Sequence, residues 1–471
     1  MDRRPLNARR RWPWVAAALL ALFVVFVGPW PLPADHYPDE PWARATFERL
    51  QRLPVHAAEA PLRAGVARRD ITPPPGVPLA GYGARHPKEN IGAREALHVT
   101  ALTLGAGPLA VTVVGGDLLL TLPKLTTAVR EATGLPPEAL YFTASHTHSG
   151  PGGFDDGLVA RTNLGDFHPE YFRRLVDAMA AAVRESRQTL RPVRVRYSRL
   201  RLQGAARTLL QYRLTHAPIH PVIHVLEAFA PDGRRLAFLL TSSLHPTLFG
   251  KHNRLASGDF PSVLLKALEA DGGLGIYAAG AVGGTVPGVT PEKDGDEVAA
   301  QAALRDRVGR RLANLVREGL ADGGAEVALD GRWQANEATL ARARLTVDLP
   351  PPVYHVGEHL RLSPWLVRAL FHPRGETAMD GLRVGPVWMV GIPADFSAEL
   401  AEDLGAWARS RGGYAWITGF NGDYLGYLMP RARYATPHYT TRDANLYGPA
   451  AGDYFRDLAR ALMERMAAAR P

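Results

Sequence analysis

The most marked pattern in the chain lies at its start. From Trp12 to Pro33 no residue is charged, and Val15 to Val27 is wholly apolar. A bilayer core needs about 20 such residues in a helix, and Trp12, Trp14 and Trp30 stand at the two ends, where indole rings favour the interface. The run therefore predicts a transmembrane helix. With Arg3, Arg4, Arg9, Arg10 and Arg11 before it, the positive-inside rule keeps the N-terminus cytoplasmic and exports the body. A cleaved signal peptide is the alternative, although Leu32-Pro33-Ala34 is a poor small-x-small site; both readings export the body.

Beyond residue 60 the pattern alternates. Leu109–Val114, Leu236–Leu240 and Val387–Ile392 are short apolar runs of the kind buried strands show. Phe172–Glu185, Leu304–Val316 and Ala398–Arg409 carry apolar residues at helical spacing. Interleaved strands and helices predict a mixed α/β body. The expected layout is residues 1–34 as an Arg-rich tip and anchor, 35–60 as an acidic, then Pro- and Ala-rich linker, and 61–471 as a single large domain. No internal repeat is evident.

Composition narrows the chemistry. The 471 residues include no Cys, which excludes disulfide scaffolds, Fe–S ligation and thiol catalysis. Any metal must be held by His, carboxylate or Tyr. The net charge of +9 is partly local to the first residues, and no later basic cluster is interleaved with aromatics, so nucleic acid is not an expected partner. The Gly280–Gly288 stretch lacks a following Lys-Ser/Thr and contains Pro287, unlike a phosphate-binding loop.

Four segments carry candidate chemistry. In the first, Tyr141-Phe-Thr-Ala-Ser-His146-Thr-His148-Ser-Gly-Pro-Gly-Gly153, a β-rich run ends in His-x-His; on a strand, residues two apart point the same way. The second is Ser242-Ser-Leu-His245-Pro-Thr, followed by Ser257-Gly-Asp259, with His252 a candidate neighbour. In the third, Pro393-Ala-Asp395-Phe-Ser, Asp395 is either a ligand or the N-cap of the following helix. The fourth, Phe420-Asn-Gly-Asp-Tyr424-Leu-Gly-Tyr427, continues to Tyr434, Tyr439 and Tyr447 and suggests a polar cavity lining, or ordinary aromatic packing. His220-Pro-Val-Ile-His224 has the i, i+4 spacing of a zinc helix, but Pro221 and the β-branched residues make it a strand, with the two His about 13 Å apart.

Together with Ala64-Gly-Val-Ala-Arg-Arg-Asp70-Ile-Thr-Pro-Pro, Gly81-Tyr-Gly83, Gly116-Asp117 and Tyr447-Gly-Pro449, these segments resemble the neutral/alkaline non-lysosomal ceramidase family, in order over roughly residues 61–460. The resemblance implies a zinc-dependent amidase acting on a lipid or lipid-like N-acyl substrate such as a sphingolipid. It places the zinc ligands on His146, His245, Asp395 and Tyr427, a catalytic His on His148, a substrate-contacting Arg on Arg207 and an oxyanion-stabilising Tyr on Tyr439. Zinc-activated water would attack the carbonyl. Two departures accompany it. Asp395 stands where the family has Glu, and the family's Gly-Asp-Val-Ser-Pro reads Gly283-Gly-Thr-Val-Pro287, so the Ser falls on Val286 and the Asp on Gly284. The family's C-terminal immunoglobulin-like domain is not expected here. Rival readings are an esterase or other amidohydrolase on the same scaffold, and a non-catalytic envelope protein with a degenerate zinc site.

Overall fold

Apolar runs without alternation belong to strands covered on both faces, and each of the three runs above is the third strand of one recurring unit. The computed structural model describes residues 12–470 except 34–35, 215–217, 291–295, 357–358, 372 and 442–443. The described chain begins with α1 (Trp12–Phe26) and α2 (Pro41–Gln51). The first unit comprises β1 (His56–Asp70), β2 (His98–Ala106), β3 (Leu109–Gly116), α3 (Pro123–Thr133), β4 (Leu140–Ala144) and α4 (Pro169–Gln188). The second has β5 (Arg194–Leu202), β6 (Val222–Phe229), β7 (Arg235–Ser242), α5 (Asp259–Glu269), β8 (Leu274–Ala279) and α6 (Glu297–Leu320). After β9 (Val327–Ala335), the third runs through β10 (Glu337–Asp348), β11 (Glu376–Val384), β12 (Val387–Ile392), α7 (Ala398–Ser410), β13 (Tyr414–Gly419) and α8 (Ala451–Ala468).

In every unit the first three strands pair antiparallel, and the fourth returns through a helix to lie parallel to the third. The body is therefore mixed α/β, as expected, but it contains a threefold structural repeat that no sequence repeat announces. Units one and three join edge to edge through β1 and β10, and β9 extends the second unit at β5. The fourth strands β4, β8 and β13 meet at the centre, where Tyr141 on β4 and Thr418 on β13 share a 2.6 Å hydrogen bond. Inward-facing residues of all three units, including Val113, Tyr197, Leu239, Ile276, Met389 and Trp416, form a common core there.

The arrangement brings the loops that follow β4, β7, β12 and β13 into one place. One local choice frees a key side chain. The N-cap of α7 is Ser397, whose Oγ accepts from Glu399 N at 3.3 Å, so Asp395 is not the cap.

The N-terminal expectation does not survive. Among the described residues helix α1 has fifteen, about 22 Å of helix against a hydrocarbon core of about 30 Å. It stops because Gly28 turns to φ 115° and Pro29 follows; Trp30 and Pro31 then pair with Leu360 and Arg361. Among the described residues no helix is long and apolar enough to cross a membrane. A transmembrane anchor, and the membrane-anchored location inferred from it, are therefore not supported. The Arg-rich tip at residues 1–11 lies outside the described residues. Within the segment read as a linker, α2 packs on β10 and α8, and β1 begins at His56.

A buried ion pair inside the third unit holds an arginine that also reaches the first. Arg342 on β10, fully buried, donates to Asp380 Oδ1 at 2.5 Å and to the carbonyls of Glu138 and Leu140 at 2.9 and 2.8 Å; Arg344 bonds the same carboxylate. Burial opposes ionisation of Asp380, yet Arg344 and Arg342 prevail and hold its carboxyl below the usual range. Asp380→Ala leaves Arg342 uncompensated and is expected to cost about 3–5 kcal/mol, read by urea unfolding at neutral pH. Because the folded value is depressed, this contribution is complete above the ordinary carboxylate range and lost as the pH falls through the folded value. The gap between wild type and variant should therefore shrink in acid.

Candidate metal centre

Strand β4 ends at Ala144, and the chain leaves it by a left-handed residue: His146 has φ 61°. Its backbone N–H still donates to Leu118 O at 2.9 Å, continuing the pairing with the end of β3. His146 and His148 therefore face one site through a turn, not through strand alternation. Gly81 passes so close to His148 that a Cβ there would lie 2.6 Å from its Cα, which accounts for the Gly in Gly81-Tyr-Gly83. Arg85, fully buried, donates to the carbonyls of Ala80 and His148, both at 2.7 Å. The ring of Phe420, itself at φ 63°, lies flat on the His146 imidazole at 3.7 Å.

His245 arrives from the end of β7. Beyond it, the buried carboxylate of Asp259 accepts from Leu248 N and Phe249 N at 3.0 and 3.3 Å and pins the loop. His252, further along, is exposed.

The three rings converge. Nε2 of His146 lies 3.1 Å from Nε2 of His245, and Nε2 of His148 lies 3.2 and 3.1 Å from these two. Nδ1 of His146 lies 2.7 Å from Leu119 O, and Nδ1 of His245 faces Val282 O at 3.4 Å. A carbonyl only accepts, so both rings carry their proton on Nδ1 and present a lone pair at Nε2. The His146–His245 contact then holds no proton, which is repulsive unless a cation lies between the rings. Ligands about 2.1 Å from one ion stand about 3.0–3.4 Å apart at right to tetrahedral angles, so the triangle fits a metal. Among the described residues it is the only such cluster of His and carboxylates. Burial, then the neighbouring rings and Arg213, push His148 and His245 well below the usual imidazole range; burial takes His146 down to about 3. The nitrogens are thus free to bind over the ordinary pH range.

Asp395 stands beside the triangle. Its Oδ1 lies 3.7 Å from His146 Nε2 and is buried without a partner, while Oδ2 accepts from Tyr424 OH at 2.7 Å. Burial, against the Tyr424 hydrogen bond and Arg213, pushes its carboxyl up to about 7. These groups line a cavity of about 660 Å³ together with Tyr427 and Tyr439, whose hydroxyls are 3.5 Å apart. Tyr439 stands at the rim, 38% exposed.

The structure separates the expected residues. His146, His148, His245, Asp395, Tyr427 and Tyr439 come together, with His148 in the nitrogen triangle itself. Arg207 does not join them. It sits exposed on the short turn Gly204–Leu209 and is not among the cavity-lining residues. The arginine that lines the cavity is Arg213, with its guanidinium 5.3 Å from the Tyr439 ring; nothing in its sequence surroundings marked it out. Tyr424 was one of several tyrosines in the sequence reading, and its hold on Asp395 was not foreseen. Tyr434 and Tyr447 pack elsewhere.

Val286 lines the cavity, whereas Thr285 is buried away from it. His220 and His224 are not 13 Å apart, because the strand begins only at Val222; their rings stack at 6.2 Å. Each is engaged elsewhere, His220 by Glu402 at 2.6 Å and His224 by Tyr197 at 2.8 Å.

No family model matches the chain. A neutral ceramidase from Pseudomonas aeruginosa is 24% identical over 225 residues, 44% of this chain and 33% of that protein, so the match spans a third of the relative's length. The crystal structure of neutral ceramidase from Pseudomonas aeruginosa shares the fold, with a TM-score of 0.71 at 20% identity over 86% of this chain and 75% of that one. The expected resemblance to the neutral ceramidase family holds. A second ceramidase structure, complexed with C2, gives a TM-score of 0.69 at 19% identity, over 86% and 76% of the two chains. The ceramidase fold therefore extends over most of this body.

If His148 is a third ligand and not only a proton carrier, His148→Ala should lose metal as fully as His146→Ala. Both should weaken affinity by more than about 100-fold, beyond the 10–100-fold typical of outer-shell changes. Tyr424→Phe, which only releases Asp395, should stay within that smaller range. Elemental analysis and competition with a chromogenic chelator would check both.

Proposed function

We propose that this chain is a metal-dependent hydrolase that cleaves the amide bond of an N-acyl substrate, as its ceramidase relatives' name implies for them. The observation that carries this reading is the triangle of imidazole nitrogens beside an unpartnered buried carboxylate oxygen. His146, His148 and His245 would hold the ion, and a donor set of three imidazoles without thiolate suits zinc. Such an ion supplies Lewis acidity toward an acyl carbonyl and activates water.

The chain's own groups supply the rest. Asp395, whose buried Oδ1 has no hydrogen-bond partner and stands beside the imidazoles, would take a proton from the attacking water and return it to the leaving nitrogen. Burial, then the nearby Asp395, pushes the Tyr427 phenol up, so it stays a neutral donor. Tyr427 and Tyr439, on the same wall, would donate hydrogen bonds to the oxygen on which negative charge develops. Leu119, Leu120 and Val286 give the cavity an apolar side for an acyl chain. No hydroxyl nucleophile stands at position 286, which favours direct attack by water over an acyl-enzyme.

The purified protein supplied with zinc should release fatty acid from N-acyl amides and lose that activity on chelation. Mass spectrometry of the products is the readout, and no release from any N-acyl amide would overturn the proposal. Tyr439→Phe is expected to lower kcat by about 10²–10³-fold with little change in KM, measured by steady-state kinetics.

A further inference from the structure

An unpaired cation in a half-buried position is costly unless something regularly neutralises it. The cavity at the metal centre holds one such group, with a second, exposed cation at its edge. Arg213 is half-buried, its Nε is buried without a hydrogen-bond partner, and its backbone N–H is fixed by Gly284 O at 2.6 Å. Lys251 lines the same cavity from an exposed position. Among the described residues neither side chain has a hydrogen bond or an ion pair, although arginines elsewhere in this chain commonly do. Among the described residues the only carboxylate in the lining is Asp395, which faces the imidazoles and Tyr424. The cavity is thus apolar on one side and positive on the other even before a metal adds its charge.

The geometry points to a substrate that carries a carboxylate: an N-acyl compound whose amine part or acyl tail ends in an anion, in preference to a neutral N-acyl alcohol. The Arg213 guanidinium offers a fork that matches a carboxylate, and Lys251 adds a mobile point charge nearer solvent. Tyr439, whose ring lies against Arg213, holds the guanidinium at the cavity wall. Val286 fits this picture, because it adds no polar group that would compete for the anion. The inference rests on this cavity being where substrate binds, as proposed above, but it concerns recognition and not bond cleavage.

The test is therefore a binding measurement. The full chain in its His245→Ala form, which should not turn over, is titrated calorimetrically with N-lauroylglycine and with neutral N-lauroylethanolamine. The glycine conjugate should bind at least 10-fold tighter, and the preference should fall as salt is raised. In the added Arg213→Gln/Lys251→Gln background the two ligands should bind within about 2-fold of each other. Lys251→Glu, a change at an exposed position that should not disturb folding, should reduce the preference on its own. Equal affinities in the starting protein, or a preference that survives the double substitution, would overturn the inference. If the anion is preferred but the unsubstituted chain supplied with zinc hydrolyses neither compound, that result counts against the hydrolase reading and leaves this one standing.

Discussion

Three imidazole nitrogens that share one point within 3.2 Å of one another impose the constraint to which the surrounding structure answers. Facing lone pairs repel, so each ring must be held from behind. Leu119 O takes the Nδ1 proton of His146, Phe420 covers its face, and Arg85 grips the backbone of His148. His146 and Phe420 are both left-handed non-glycine residues, at a cost of about 1–3 kcal/mol each. The bonds around them offset that strain: Thr121 Oγ1 donates to Phe420 O at 2.7 Å and accepts from Gly422 N at 2.8 Å.

Much of this was legible, though not always for the right reason. The apolar runs and the helical periodicities foretold β3, β7, β12, α4, α6 and α7, because burial on both faces or on one stripe writes itself directly into residue type. His146 and His148 were singled out by their spacing, but a left-handed turn, not alternation on a strand, makes them converge. Asp395 could not be told from a helix cap in sequence, since a cap is decided by whichever side-chain oxygen reaches the first free N–H, and Ser397 does. Arg207 and Arg213 sit six positions apart, and only the fold reveals which one faces inward. The apolar stretch at residues 12–33 shows how composition reports hydrophobic length without reporting where the backbone stops being helical.

The departures from the ceramidase motif also have a structural expression. At Gly284, where the resemblance places an acid, φ is 81° and a Cβ would lie 2.8 Å from the Tyr212 ring. The space an aspartate would need is already taken by an aromatic side chain, so restoring that acid alone would force Tyr212 to move. Val286 then meets the cavity with methyl groups where a hydroxyl would otherwise stand. Both positions sit where the short strand Thr285–Pro287 pairs with Leu210–Tyr212, Val286 within it and Gly284 just before it.

The threefold unit has a consequence of its own. The first unit supplies His146 and His148, the second supplies His245, and the third supplies Asp395. A cation held by the three imidazoles is the property of no single unit, and its binding free energy accrues only to the chain in which the first two are docked. The ion would serve as a thermodynamic latch between those two lobes, coupling the opening of either one to the release of the same atom.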